Sequence, residues 1–456
     1  MGNTIRPSGA GDISDTPVDP SEVGSTQQID EPEDQAPVNL SEPAAEGNSE
    51  TPPTANFQSV LGEFGLGGQM RESEIRGMLP ADGGSVPLSL FSDGVAQAKG
   101  VVSSSIRIGL LPSQLDSAKI PTKLRDELMS QASKKSGPDL DAFLDLAEAA
   151  IKSKDPAGAV KSLVMQGRID AYFESFNASY TVNGKEVKAL PHFRMADGAS
   201  GTPGSLVKSG TVQDNLNAFL AKNDKGHYNQ AMKAAIHGVA YGRATSDQIK
   251  MVTDALIRSG EFDVAKKNHP GLSDSDTIRM MQWDHGVGID CAGYVQQAFM
   301  QVQGGDRKHF GFQDFGGERL MDLKDNRHFK QIKPQDIQPG DLIALDAPPP
   351  ETIGHTVLVR DQHEMSAAEV KANHVPKDWA GPNDKLHIVQ VDGSFGAHLN
   401  GDLNGGLTHR TWIYNETNGK WAEIKPTGTG GFEFNESSET GPYDHIMNGI
   451  FRPTGK

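Results

Sequence analysis

One thiol is available for chemistry in this sequence, because Cys291 is its only cysteine. The residues after it place four apolar side chains at i, i+3, i+4 and i+7, namely Val295, Ala298, Phe299 and Val302. This stripe predicts a helix over 291–303 with Cys291 in its first turn. The unpaired N–H groups at a helix N-terminus stabilise a thiolate, which is the form of sulfur that attacks. Cys291 is therefore predicted to be a nucleophile, and the pattern leaves open that it is a small buried apolar residue.

A thiol nucleophile needs a base, usually a histidine, which a third polar group holds in place. His355 begins a strand-like run, and its parity places it on one face with Val357 and Val359. On the next strand-like run, Gln390 and Asp392 share a face by the period of two. Either of them could hold the far nitrogen of His355. The alternative for each polar residue is an ordinary hydrogen bond at a strand end.

The order of these residues resembles the NlpC-type papain-like cysteine peptidases, over about residues 275–456. Three stretches carry the resemblance, and they are Asp290-Cys291-Ala292-Gly293-Tyr294-Val295, Pro339-Gly340-Asp341-Leu342 and Gly354-His355. The resemblance implies a triad of Cys291, His355 and Gln390, with Asp392 as the alternative third residue. It also implies a cleft edged by Trp283, Asp290 and Ala292.

The resemblance further implies a function, namely hydrolysis of an amide bond, with peptides of bacterial peptidoglycan as the default substrate. The backbone N–H of Cys291 would hold the oxyanion and His355 would protonate the leaving amine. No cofactor or metal is expected. Two departures from the family pattern bear on the substrate. Ala292 replaces a serine, and about 25 residues, including His363 and Trp379, separate the His355 and Gln390 strands where the family has a short turn.

The charge of the chain is concentrated at its start. The formal net charge is -17, and residues 1–55 hold eleven acids against one base, Arg6. No basic patch stands out, so nucleic acid is not expected as a partner. No run approaches the ~20 apolar residues of a membrane helix, so membrane insertion is not expected. A single cysteine also excludes an internal disulfide and zinc sites built on several cysteines.

The sequence predicts three regions. Residues 1–55 lack aromatic residues and are rich in Pro, Ser and acids, which predicts a disordered acidic leader. Residues 56–225 predict a mostly helical region of unknown role, interrupted by a hairpin at Asn183-Gly184. Residues 226–456 predict the papain-like hydrolase domain, in which a nucleophile helix packs on an antiparallel sheet, so that the fold class is α+β. The strand-like runs are 341–346, which follows a turn at Pro339-Gly340-Asp341, and 355–361, 386–394, 408–414, 420–425 and 446–452.

The absence of a Sec signal at the start predicts a chain that is cytoplasmic in its producer and exported by a specialised system. That route fits an effector or toxin, whose partners would include a secretion chaperone or an immunity protein. Two other functions stay open, a papain-like acyl or amide transferase and a non-enzymatic adaptor with a degenerate hydrolase domain.

Overall fold

The computed structural model describes residues 104–195, 207–312, 320–346, 354–377, 379–395, 403, 405–426, 432–436 and 446–454. All of these lie within one compact unit, Ser85–Lys456. The predicted leader, residues 1–55, lies outside the described residues. The described residues combine helices with antiparallel sheet, which confirms the α+β class.

Four helices open the described chain. They are α1 (Ser104–Ser117), α2 (Thr122–Ser133), α3 (Gly137–Ile151) and α4 (Pro156–Ser175). Asp155 caps α4 by accepting a hydrogen bond from the backbone N–H of Gly158, and Pro156 supplies the fixed φ that suits a first helical position. These four helices enclose a small core of their own, which includes Leu115, Leu128 and Leu144.

A hairpin and five helices follow. They are β1 (Ala178–Val182), β2 (Lys185–Ala189), α5 (Ser209–Asn223), α6 (Gln230–Ala240), α7 (Ser246–Arg258), α8 (Glu261–Asn268) and α9 (Asp274–His285). The predicted hairpin is confirmed, because Asn183 and Gly184 both take positive φ at its turn. The short helix α8 was not predicted from the sequence.

The remaining chain supplies one helix that matters for the site and an eight-stranded antiparallel sheet. The helix is α10 (Cys291–Ala298), which continues as a π-helical segment, Phe299–Gly304. The strands are β3 (Phe329–Ile332), β4 (Leu342–Asp346), β5 (His355–Glu364), β6 (Leu386–Phe395), β7 (Gly406–Asn415), β8 (Trp421–Pro426), β9 (Phe432–Glu436) and β10 (Ile446–Pro453). Their order in the sheet is β3-β10-β4-β5-β6-β7-β8-β9. The short helices α11 (Arg307–Phe310) and α12 (Ala367–Ala372) lie between these elements.

The two faces of the sheet belong to different apolar clusters. Leu342, Ala344 and Leu358 pack in one cluster with Tyr294 and Val295 of α10. The alternate residues of β4 and β5, together with residues of β6, form the second cluster. It contains Ile343, Leu345, Val357, Val359, Val389, Val391 and Phe395. Successive side chains of a strand point to opposite faces. The α10 face of the sheet is therefore defined by Leu342, Ala344 and Leu358, and the far face by the second cluster.

Helix α4 contributes residues both to the core of the first four helices and to the core in which α10 packs on the sheet. Its first half contributes Val160 and Val164 to the core of the four helices, and its second half contributes Ile169 and Phe173 to the cluster that holds α10. The guanidinium of Arg360, on β5, also pairs with Asp170 of α4 at 2.5 Å. The apolar core thus includes residues on both sides of the expected boundary at residue 225, and that boundary stays a prediction.

Candidate functional site

Cys291 is the first residue of α10, as its sequence predicts. Asp290 is the N-cap, and its side chain accepts a hydrogen bond from the backbone N–H of Gly293. The backbone N–H of Asp290 donates in turn to the carbonyl of Gly242 at 3.1 Å. The thiol therefore stands at a helix start whose first turn is fixed by both a side-chain cap and a backbone contact.

The surroundings of the thiol favour its neutral form. Burial is the largest cause that raises the pKa of Cys291, and the negative charge of Asp290 raises it further. The backbone N–H and hydroxyl of Thr356 and the positive charge of Arg243 act in the opposite direction without cancelling the rise. Cys291 is nonetheless partly exposed. The helix N-terminus alone thus does not produce a resting thiolate, and attack by this sulfur requires a base.

His355 lies at the start of β5, next to Thr356, but its side chain belongs to the far face of the sheet. It pairs across the strands with Leu345, and its ring centroid lies 4.7 Å from that of Phe395. Leu345 and Phe395 are both members of the far-face cluster. The sequence placed His355 with Val357 and Val359, and the structure does the same. However, α10 packs on the opposite face, so this arrangement does not support a pairing of His355 with Cys291, and that pairing stays a prediction.

Gln390 and Asp392 share the α10 face but differ in their distance from the start of α10. Ser394, two residues beyond Asp392, donates from its hydroxyl to the carbonyl of Ile289 at 2.5 Å, which ties β6 to the segment just before Cys291. Four residues of extended strand separate Gln390 from Ser394, which is about 13 Å, against about 7 Å for Asp392. Asp392 is also fully buried, whereas Gln390 is partly exposed. The geometry favours Asp392 over Gln390 as a site residue.

Asp392 has a histidine partner that the sequence did not suggest. Nδ1 of His409, the residue opposite it on β7, lies 2.5 Å from Oδ1 of Asp392. The imidazole stacks on Phe173 at 3.8 Å and leaves 43% of its side chain exposed. Burial is the largest cause that raises the pKa of Asp392, and His409 acts against it. This histidine–carboxylate pair could not be predicted, because it depends on the register in which β6 pairs with β7, and the sequence alone does not reveal that register.

The three predicted cleft residues lie in different settings. Asp290 is the cap described above, and Ala292 is partly buried against the core that holds α10. Trp283 is buried in α9, where it packs with Phe193 and Met280. Trp283 is thus a buried core residue, and its predicted place at the edge of a cleft stays a prediction.

The turn at Gly340 and Asp341 serves the sheet. Gly340 takes φ +89, a conformation that favours glycine, and the buried Asp341 accepts two hydrogen bonds from Arg452 of β10, each at 2.7 Å. The predicted turn before β4 is present, and its aspartate ties β4 to the last strand.

The insertion between β5 and β6 is built around a histidine and two carboxylates. Nδ1 of His363 lies 3.3 Å from Asp361, and Nε2 lies 2.8 Å from Glu369 of α12. Asp361 is the largest cause that raises the pKa of His363, to about 9. Trp379 is buried in a satellite core with Leu386 and Ile413. The insertion is therefore folded onto the sheet near its β6 end.

Within the described ranges, no group of three or more His, Cys, Asp or Glu side chains is arranged to hold a metal ion. In that same part of the chain, no helix is long and apolar enough to cross a membrane.

Comparisons with known proteins give no match: no family model, no curated protein and no solved structure is similar to this chain.

Proposed function

We propose that this chain is a cysteine hydrolase that cleaves amide bonds through Cys291. The observation that carries the proposal is the position of Cys291 as the first residue of a capped helix packed on an antiparallel sheet. This arrangement aims backbone N–H groups at the place where an oxyanion would form. The same arrangement is the basis of the NlpC-type papain-like fold that the sequence motifs resemble.

The proposed reaction has two halves. The base removes the proton of the thiol, the sulfur attacks the carbonyl carbon, and the C–N bond breaks as the base returns the proton to the leaving amine. Water then attacks the thioester, which releases the acid and restores the thiol. A base is essential in this scheme because the pKa of Cys291 is raised.

Two histidines are candidates for the base, and each rests on a different observation. His355 is the base that the family resemblance implies. His409 is favoured by its position on the α10 face and by its contact with the buried Asp392. His409 lies opposite Asp392 on β7, and the next pair along the two strands on this face is Ser394 and Leu407, where Ser394 contacts Ile289 before α10. We take His409 as the first candidate and His355 as the second.

The substrate class rests on the resemblance alone, which implies peptide bonds of bacterial peptidoglycan. The acidic, aromatic-free composition of residues 1–55 fits delivery by a specialised secretion system, with peptidoglycan of a rival cell or a host protein as target. A transferase would use the same thioester and pass the acyl group to an amine or alcohol in place of water.

The experiment that tests the proposal uses the full-length chain and purified sacculi. The wild type and the Cys291→Ala variant are incubated with sacculi, and the soluble products and new amino groups are measured by mass spectrometry. We expect product from the wild type and none above background from the variant. Equal product from both would contradict a cysteine hydrolase, and products carrying an added amine or alcohol would favour the transferase.

A further inference from the structure

The turn that follows α6 holds the start of α10 through three separate contacts. The carbonyl of Gly242 accepts the backbone N–H of Asp290, and Arg243 forms an ion pair with the Asp290 carboxylate. Both charged side chains are mostly buried, with 12% and 10% of their surfaces exposed. The carbonyl of Arg243 also accepts a hydrogen bond from Gln297, two turns along α10, at 3.0 Å.

The backbones of Gly242 and Gly293 approach each other so closely that a side chain would not fit between them. A Cβ on Gly293 would lie 1.9 Å from the carbonyl oxygen of Gly242. Gly242 itself takes φ +66, and a Cβ there would lie 2.9 Å from the carbonyl oxygen of Arg194. This contact leaves Asp290 little freedom to move away from Arg243.

Asp290 has two opposing effects on the neighbouring thiol. As the N-cap it orders the first turn of α10, which fixes the position of Cys291. As an anion next to the sulfur it disfavours a thiolate. A cation that neutralises the carboxylate without displacing it from Gly293 would keep the first effect and reduce the second.

We propose that Arg243 is a positioning residue for Cys291, which it serves by holding the capping carboxylate of Asp290 and neutralising its charge beside the thiol. This proposal rests on the proposed function of Cys291 and names a residue that touches neither the sulfur nor a substrate. Arg243 sits on a different element from Cys291, 48 positions earlier in the sequence.

Other groups around the start of α10 make different contacts. Thr356, from β5, contributes an N–H and a hydroxyl but no charge. The guanidinium of Arg194, buried in the same region, binds the carbonyls of Ala240 and Val207 and the hydroxyl of Ser209. Asp392 is the buried carboxylate of β6 on this face, and it is held by His409. Arg243 forms the ion pair with Asp290, and its positive charge also acts on Cys291.

The test measures the reactivity of the Cys291 thiol directly and does not depend on hydrolysis of a substrate. Because Cys291 is the only cysteine, the rate of iodoacetamide alkylation of the folded full-length chain reports this residue alone. The rate is measured from pH 6 to pH 10 for the wild type and for Arg243→Gln, Arg243→Lys and Asp290→Asn. Arg258→Gln, which breaks the Arg258–Asp224 ion pair on another helix, is the matched control.

The proposal predicts shifts of opposite sign. Arg243→Gln removes a positive charge beside Asp290 and Cys291, so alkylation at pH 7.5 should slow by about three- to tenfold with the midpoint moved to higher pH. Asp290→Asn keeps a good capping acceptor and removes the anion, so its midpoint should move to lower pH. Arg243→Lys should restore most of the wild-type profile, and Arg258→Gln should match the wild type.

Unchanged midpoints in both Arg243→Gln and Asp290→Asn, or shifts of the same sign, would overturn the proposal. If Arg243→Gln does not fold, the direction of the Asp290→Asn shift alone decides, because a purely structural cap predicts no shift to lower pH. These results are separate from the sacculus assay. A shifted alkylation profile with no hydrolysis would support the role of Arg243 and refute the hydrolase.

Discussion

Nδ1 of His409 lies 2.5 Å from Oδ1 of Asp392, on the face of the sheet against which α10 packs. The carboxylate is fully buried and the imidazole is half exposed on the ring of Phe173. A buried carboxylate at Nδ1 fixes the tautomer that leaves Nε2 free to accept a proton. In the proposed reaction, this pair would supply the histidine and the acid that the neutral thiol of Cys291 requires.

The two candidate bases predict different mutant activities. We expect His409→Gln to lower the rate of amide hydrolysis by about 10²- to 10⁴-fold, the usual contribution of a general base. His387→Gln is the matched control, because His387 is a buried strand histidine that contacts Gln362 and Glu416. Initial rates on sacculi or a model peptide measure the effect. Loss of activity in His355→Gln with full activity in His409→Gln would instead support the base that the family resemblance implies.

Asp392→Asn should separate stability from activity. Burial raises the pKa of Asp392, so its ionisation opposes folding once the pH exceeds the ordinary value near 3.8. The amide removes that cost, so the melting temperature of the variant relative to wild type should rise between pH 4 and pH 7. Hydrolysis should fall, because an amide no longer favours the protonated His409 during catalysis. A variant that is destabilised more at pH 7 than at pH 4 would contradict this account of Asp392.

The contact between Gly293 and Gly242 should be intolerant of a side chain. Gly293→Ala places a Cβ 1.9 Å from a backbone oxygen, which cannot move as a side chain could, so we expect a loss of about 2–3 kcal/mol in unfolding free energy. Gly109→Ala in α1 is the control. Its new Cβ meets nothing within 4 Å, and alanine should stabilise that helix by about 0.5–1 kcal/mol. Urea unfolding measures both, and equal effects would contradict the close backbone approach.

His363 should stabilise the insertion in a pH-dependent way. Its pKa is raised to about 9 by Asp361 and Glu369, so its contribution is complete below the ordinary value near 6.5 and disappears as the pH rises through 9. His363→Gln should therefore lower the melting temperature more at pH 6 than at pH 10. The side chain is 42% exposed, so the effect should stay within about 1 kcal/mol. A difference between variant and wild type that does not change with pH would contradict this prediction.

Local patterns in the sequence predicted most of the elements that position the site. The strands at 341–346, 355–361, 386–394, 408–414, 420–425 and 446–452 were predicted within a few residues, because each is a short apolar run bounded by turn residues. The strands β3 and β9 were not predicted, since Phe329–Ile332 and Phe432–Glu436 alternate with charged or polar residues and lie in loop-like surroundings. Helix α1 was not predicted, because helical signals in the sequence become clear only from about residue 120.

The face of the sheet that each side chain shares with α10 was harder to predict than the positions of the helices and strands. The period of two correctly grouped His355 with Val357 and Val359, but it could not say which face α10 would cover. The face that α10 covers is decided by the packing of Tyr294 and Val295 against Leu342, Ala344 and Leu358. These contacts join residues more than 40 positions apart in the sequence, so no local pattern reveals them. For the same reason His409 was missed, because its relation to Asp392 exists only once β6 and β7 pair.

Intact-protein mass spectrometry during turnover of an activated peptide ester tests most directly whether Cys291 attacks a carbonyl. We predict that the wild type gains the mass of the acyl group and that digestion places this group on the peptide containing Cys291. The acyl group should be lost with time in water, and Cys291→Ala should gain none. An adduct on another residue, or an acylation rate equal in Cys291→Ala and wild type, would contradict the account.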